Sequence, residues 1–148
     1  MPAVPGLRSS YARVGRIVYF GRMIDKIRLH QAGTLPSDYH KNLGIGFDGR
    51  CCTFLRVNYP DVVARVKQSG TDAEILTWCE QRGGVRSDDD CMIWSRFMMK
   101  IGWRDDRSDA LKQRIAEYGL AGKTIDTFFD LNDIDEGRDP VGTAAWLG

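Results

Sequence analysis

The chain has 148 residues, 43% of them hydrophobic and 28% charged, with a formal net charge of +1. That length and composition fit one globular domain with enough apolar surface to bury a core without staples. The balanced charge argues against a nucleic-acid-binding surface, and no apolar run approaches the roughly 18 residues that a membrane span requires. The first fifteen residues lack the apolar core of a signal peptide, so the expectation is a cytoplasmic protein whose four cysteines stay reduced. Two of them, Cys51 and Cys52, are adjacent, a spacing that strains a mutual disulfide.

Helical periodicity dominates, and strand alternation is nearly absent. The spacing predicts a first helix from about Ser10 to Gln31. Ile17, Phe20, Ile24 and Ile27 share one face, Val18 and Leu29 lie on the other, and Gly21 leaves room for a close neighbour. A helix apolar nearly all round belongs at the centre of a fold. On it, Arg22 and Asp25 are three residues apart and able to pair. Gly33 and Pro36 end the helix.

Residues 34–50 read as a loop rich in glycine and in cap-type side chains. A short helix follows from Asp48 through Val57, and Asn58 with Pro60 opens the next, whose stripe is Tyr59, Val62, Val63 and Val66. Thr71 and Glu74 form a capping box ahead of Ile75, Trp78 and Cys79, and Gly83 and Gly84 end that helix. Ser87 and Asp90 repeat the logic before Trp94, Phe97, Met98 and Ile101. Helices near 108–118 (Leu111, Ile115, Tyr118) and 124–132 (Ile125, Phe128, Phe129) complete the pattern. The tail is rich in glycine, and Trp146 is placed to dock it on the core. The expected fold is all-α: a single-domain orthogonal bundle of six or seven short helices around a long N-terminal helix.

Few motifs carry chemistry. GIGFDG, Gly44 to Gly49, matches a dinucleotide fingerprint letter for letter, but no strand precedes it and no β-α-β unit surrounds it. A weaker anion-holding role remains, through backbone N–H groups and Arg50 at the start of a helix. No C-x-x-C or H-x-x-x-H pair is present, and neither metal nor cofactor is expected. The acidic run from Asp130 fails as a calcium loop, since its fifth, sixth and twelfth positions are Ile134, Asp135 and Val141. A cysteine nucleophile built from Cys51 or Cys52 with His30 or His40 lacks a local signature.

What remains is a crowd of titratable residues in RMIDKIRLHQAGTLPSDYH and the loop after it. Arg22, Asp25, His30, Tyr39, His40 and Arg50 are the candidate ligand-binding residues, with Asp38 beside them. Arg22 and Arg50 would act as bidentate donors to a small anion, Asp25 would hold Arg22, and one histidine would be the pH-sensitive group. If chemistry occurs, a histidine with Asp38 or Tyr39 would supply acid–base catalysis. The alternative is a non-catalytic interaction or scaffold protein, acting through an apolar patch around Trp94, Trp103 or Trp146 or as a homodimer.

The run from LRSSYARVGRIVYFGRMIDKIRLHQAGTLPSDYHKNLGIGFDGRCCTFLRV, with GTDAEILTWCEQRG, DCMIWSRFMMKIGW and TFFDLNDIDEGR, resembles the bacterial family called domain of unknown function 5069. The resemblance spans about Leu7 to Arg138 and leaves 139–148 as a tail. It implies a soluble bacterial protein and carries no catalytic residues.

Overall fold

A computed structural model describes residues 3–140. Among these the fold is helical apart from one very small hairpin. In chain order, the elements are β1 (Arg13–Val14), β2 (Ile17–Val18), α1 (Phe20–Gln31), a 3-10 helix (Ser37–Asn42), α2 (Phe47–Leu55), α3 (Tyr59–Lys67), α4 (Asp72–Gly83), α5 (Asp88–Lys100), α6 (Ser108–Glu117) and α7 (Phe128–Asp135). Trp146 lies outside the described residues.

The long first helix is the main correction. Residues 10–19 form a hairpin approach, and the helix starts only at Phe20. Arg13 pairs with Val18 and Val14 with Ile17, antiparallel, across a two-residue turn. Gly15 sits at φ 57 in the first central position of that turn, where glycine costs least. Val14, Ile17 and Val18 are β-branched and buried, and they suit a short pleated segment better than a helix interrupted by glycine. Ser95 on α5 fastens β2, accepting from the Val18 N–H at 3.3 Å and donating to the Arg16 carbonyl at 3.1 Å. Tyr19 then takes a left-handed backbone, φ 69, to turn the chain into α1.

The shortened α1 is central, as its pattern requires. All eight residues from Phe20 to Ile27 are buried, three of them charged or potentially charged: Arg22, Asp25 and Lys26. The neighbour that Gly21 admits is Arg8. A Cβ there would lie 2.8 Å from the Arg8 Cζ, and Arg8 donates to the Gly21 carbonyl at 3.1 Å.

The remaining helices follow local signals. Thr71 and Glu74 make both bonds of the capping box, each at 3.1 Å. Ser87 caps α5 by accepting from the Asp90 N–H at 3.1 Å, and Thr127 caps α7 by accepting from the Asp130 N–H at 3.1 Å. Gly83 is where α4 meets the end of α2: a Cβ would fall 1.8 Å from the Leu55 carbonyl oxygen. Two expected core positions differ. Phe97 is 52% exposed and Tyr118 is 44% exposed, because the buried stripe of α5 runs through Cys91, Ser95, Met98 and Met99 and that of α6 through Leu111.

Candidate functional site

A cavity of about 840 Å³ opens against α1. Tyr19, Arg22 and Lys26 form its floor. The 3-10 helix and the start of α2 make one wall with Tyr39, Lys41, Gly46 and Phe47, and α6 and α7 make the other with Arg114, Tyr118, Leu131 and Glu136. Arg50 and Arg107 stand at its edge. Aromatic packing holds the floor in place. Tyr19 stacks on Phe129 at 6.0 Å between ring centroids, and Phe47 meets Tyr19, Phe128 and Phe129 edge-on at 5.6–6.1 Å.

Two buried charge clusters lie at the base. In the first, Arg22 grips Glu136 with both terminal nitrogens, at 2.8 and 2.6 Å, and also donates to the Arg8 carbonyl at 3.0 Å. Glu136 further accepts from the Tyr39 hydroxyl at 2.8 Å and from Arg138 at 2.5 Å. Burial pushes the Glu136 carboxyl up, but Arg22 with Tyr39 and Arg138 outweighs it and holds the group below its ordinary value. In the second cluster, the Lys26 ammonium donates to Asp48 at 2.7 Å and to the Tyr19 hydroxyl at 2.9 Å, and that hydroxyl donates to Asp48 at 2.8 Å. Asp48, with no exposed surface, also accepts from the Gly44 N–H at 3.0 Å. Burial lowers the Lys26 ammonium below the ordinary lysine range against the pull of Asp48. Burial and the Asp48 charge hold the Tyr19 phenol well above its usual value.

The glycines of GIGFDG therefore serve a turn. Gly44 and Gly46 have φ 77 and 57, Gly46 precedes α2, and the Gly44 N–H is spent on Asp48. A Cβ at Gly44 would come within 2.7 Å of the Tyr59 ring.

Of the residues expected from the sequence, Arg22, Tyr39 and Arg50 line the cavity, as does Asp38. The Arg22–Asp25 pairing is corrected. Asp25 faces Arg8, which donates to it through Nε at 2.8 Å, through a terminal nitrogen at 3.0 Å and through its backbone N–H at 3.0 Å. Arg8 also reaches Asp72 on α4 at 2.8 Å, and Arg28 bonds the same carboxylate at 2.7 Å. Residues 21, 25 and 28 share one stripe of α1 while 22 and 26 lie about a third of a turn round it, which separates the two carboxylate systems. His30 and His40 do meet, with ring centroids 4.8 Å apart, but both are exposed and neither lines the cavity.

The cysteine–histidine arrangement is not assembled. All four cysteines are buried, and burial pushes the Cys51 thiol far up and the Cys52 thiol up to about 12. Trp94 is stacked on Phe54 at 4.7 Å and half-buried, so it does not join Trp103 in an exposed patch. Sequence reasoning missed Tyr19, Lys26, Asp48, Arg107, Arg114 and Glu136. Only the lysine amid the apolar positions of α1 carried a local signal.

These features define a helical domain with a cleft of polar base and cationic edge. The chain belongs to the family of the domain of unknown function, DUF5069, whose model matches residues 4–138. No curated protein matches the chain. No helix among the described residues is long and apolar enough to cross a membrane.

Proposed function

We propose that this protein binds a small anionic molecule with an apolar or ring-bearing portion in the cleft beside α1. The observation that carries the reading is the distribution of charge. Six cationic and three acidic side chains line the cavity. At its base the charges cancel, Arg22 against Glu136 and Lys26 against Asp48. Lys41, Arg50, Arg107 and Arg114 are exposed and have no carboxylate partner among the described residues. Unspent cations around a concave, partly aromatic wall attract an anion and leave its apolar part to Phe47, Phe128 and Leu131. The site uses Arg22 as a buried strut rather than as the ligand's first donor. The 22–50 segment supplies only one side, and residues from α6 and α7 supply the other.

The test is a thermal-shift and calorimetric screen with orthophosphate, pyrophosphate, AMP and citrate. A probe present at a hundredfold excess over its dissociation constant adds about 2.7 kcal/mol to folding stability. The paired substitution Lys41→Gln and Arg114→Gln lowers affinity while leaving the melting temperature of the free protein unchanged, since both side chains are exposed. A screen silent at millimolar concentrations overturns the reading. Silence together with a dimeric mass would favour the alternative, an interaction surface on the outer face of α5, where Met92, Ile93 and Phe97 are exposed.

A further inference from the structure

Lys26 stands apart from the other five lysines of the chain, all of which are exposed. It is buried on a central helix, yet it borders the cavity. Its ammonium has three N–H donors. One goes to Asp48 at 2.7 Å and one to the Tyr19 hydroxyl at 2.9 Å, and the third has no partner among the described residues. A lysine paired only for structure has no need to border a cavity.

We propose that Lys26 is a catalytic amine that forms an imine with the carbonyl carbon of an anionic oxo compound, such as a 2-oxo acid, held in the cleft. The inference rests on the anion-binding reading, because the cations at the edge would hold the carboxylate or phosphate of the same molecule. Asp48 takes one proton from the Lys26 ammonium, and the freed lone pair forms the C–N bond as the carbonyl π bond breaks. A proton passes from nitrogen to the new alkoxide, giving a carbinolamine. Asp48 then returns its proton to the departing hydroxyl, water leaves, and an iminium cation remains beside the regenerated Asp48 carboxylate. The Tyr19 hydroxyl, bonded to both groups, is a positioning group that orients the amine and the carboxylate. Burial opposes the charged form of the amine, as nucleophilic lysines require.

The experiment treats the full chain with pyruvate, and separately with glyceraldehyde 3-phosphate, in the presence of sodium borohydride, and maps the adduct by peptide mass spectrometry. The expected result is a reduced adduct at Lys26 that is lost in Lys26→Arg, with the exposed Lys41 unmodified. Adducts scattered over exposed lysines, or none with either probe, overturn the inference. Thermal shift with oxalate, an anion lacking a reactive carbonyl, separates the two readings. Stabilisation by oxalate without trapping removes the imine and keeps the anion site, whereas neither stabilisation nor trapping removes both. Asp48→Asn tests the proton acceptor. Lys26 faces Tyr19, Arg22, Asp48, Cys51 and Glu136, and of these only Asp48 bonds the amine as a carboxylate. Its negative charge favours the ammonium, so its loss moves trapping to lower pH and, without the proton that it returns to the departing hydroxyl, slows it at the optimum. A variant that changes melting temperature but not the pH profile overturns that role.

Discussion

Removing the Glu136 carboxylate isolates a buried guanidinium. Arg22 is 3% exposed and Glu136 2%, and the two share a bidentate pair at 2.8 and 2.6 Å. Glu136→Ala deletes both bonds and also strands the Tyr39 hydroxyl and one nitrogen of Arg138. Breaking a buried pair from one side costs about 3–5 kcal/mol, because the remaining charge keeps its desolvation and loses its partner. Water can reach Arg22 from the cleft, which places the value near the lower end, at about 3 kcal/mol. In a chain of this size that lowers the melting temperature by about 6–12 °C. The double substitution Arg22→Met with Glu136→Leu removes both charges together and recovers most of the loss, since apolar replacement of a buried pair is close to neutral. Urea denaturation followed by circular dichroism measures all three variants. A change below about 0.5 kcal/mol for Glu136→Ala, the size of an ordinary surface substitution, or a double variant weaker than the single, would refute the reasoning.

The same carboxylate sets an acid limit. Its folded value lies below the ordinary glutamate value, so its contribution is complete above that ordinary value, near pH ~4.3, and fades as pH falls from there through the depressed folded value. Denaturation midpoints from pH 7 to pH 2 should show this acid loss reduced in the Arg22→Met, Glu136→Leu variant. Gly83→Ala places a methyl against the Leu55 carbonyl at 1.8 Å and costs at least about 3 kcal/mol, beyond ordinary overpacking, as thermal unfolding will show. The four thiols are buried, and Cys52 and Cys79 are pushed up to about 12 and about 11, so a disulfide reagent at pH 8 reacts with the native protein only as fast as it unfolds. Fast native labelling would contradict the packing.

The legible parts of the fold were those written in neighbouring residues. Thr71 with Glu74 announces a capping box within four positions, and Gly33 with Pro36 stops α1 where it should stop. The start of α1 was misread because Ile17 and Val18 continue a helical apolar period while also being β-branched. Gly15, four residues ahead of Tyr19, decides for the hairpin. The cleft was half visible. Arg22 is conspicuous as a charge on an apolar helix, but the choice between Asp25 and Glu136 depends on how α7 packs on α1. Glu136 lies in an acidic run whose calcium pattern fails, and nothing in the neighbouring residues marks Arg107 or Arg114 as facing a cleft. Asp48 looked like a helix-opening residue, and only the folded chain shows it buried against Lys26.

The Arg22–Glu136 clasp joins residues 114 positions apart. Contacts of such long range are the slowest for a chain to close, since the loop entropy must be met before the bond rewards it. During synthesis α1 leaves the ribosome long before its counter-charge does, and at several residues per second the interval lasts on the order of ten seconds. Through that interval Arg22 remains a solvated cation and the cleft has one wall. The binding site is thus a late product of folding, and a chain shortened before Glu136 would keep much of the helical pattern while lacking the group that seats its central arginine.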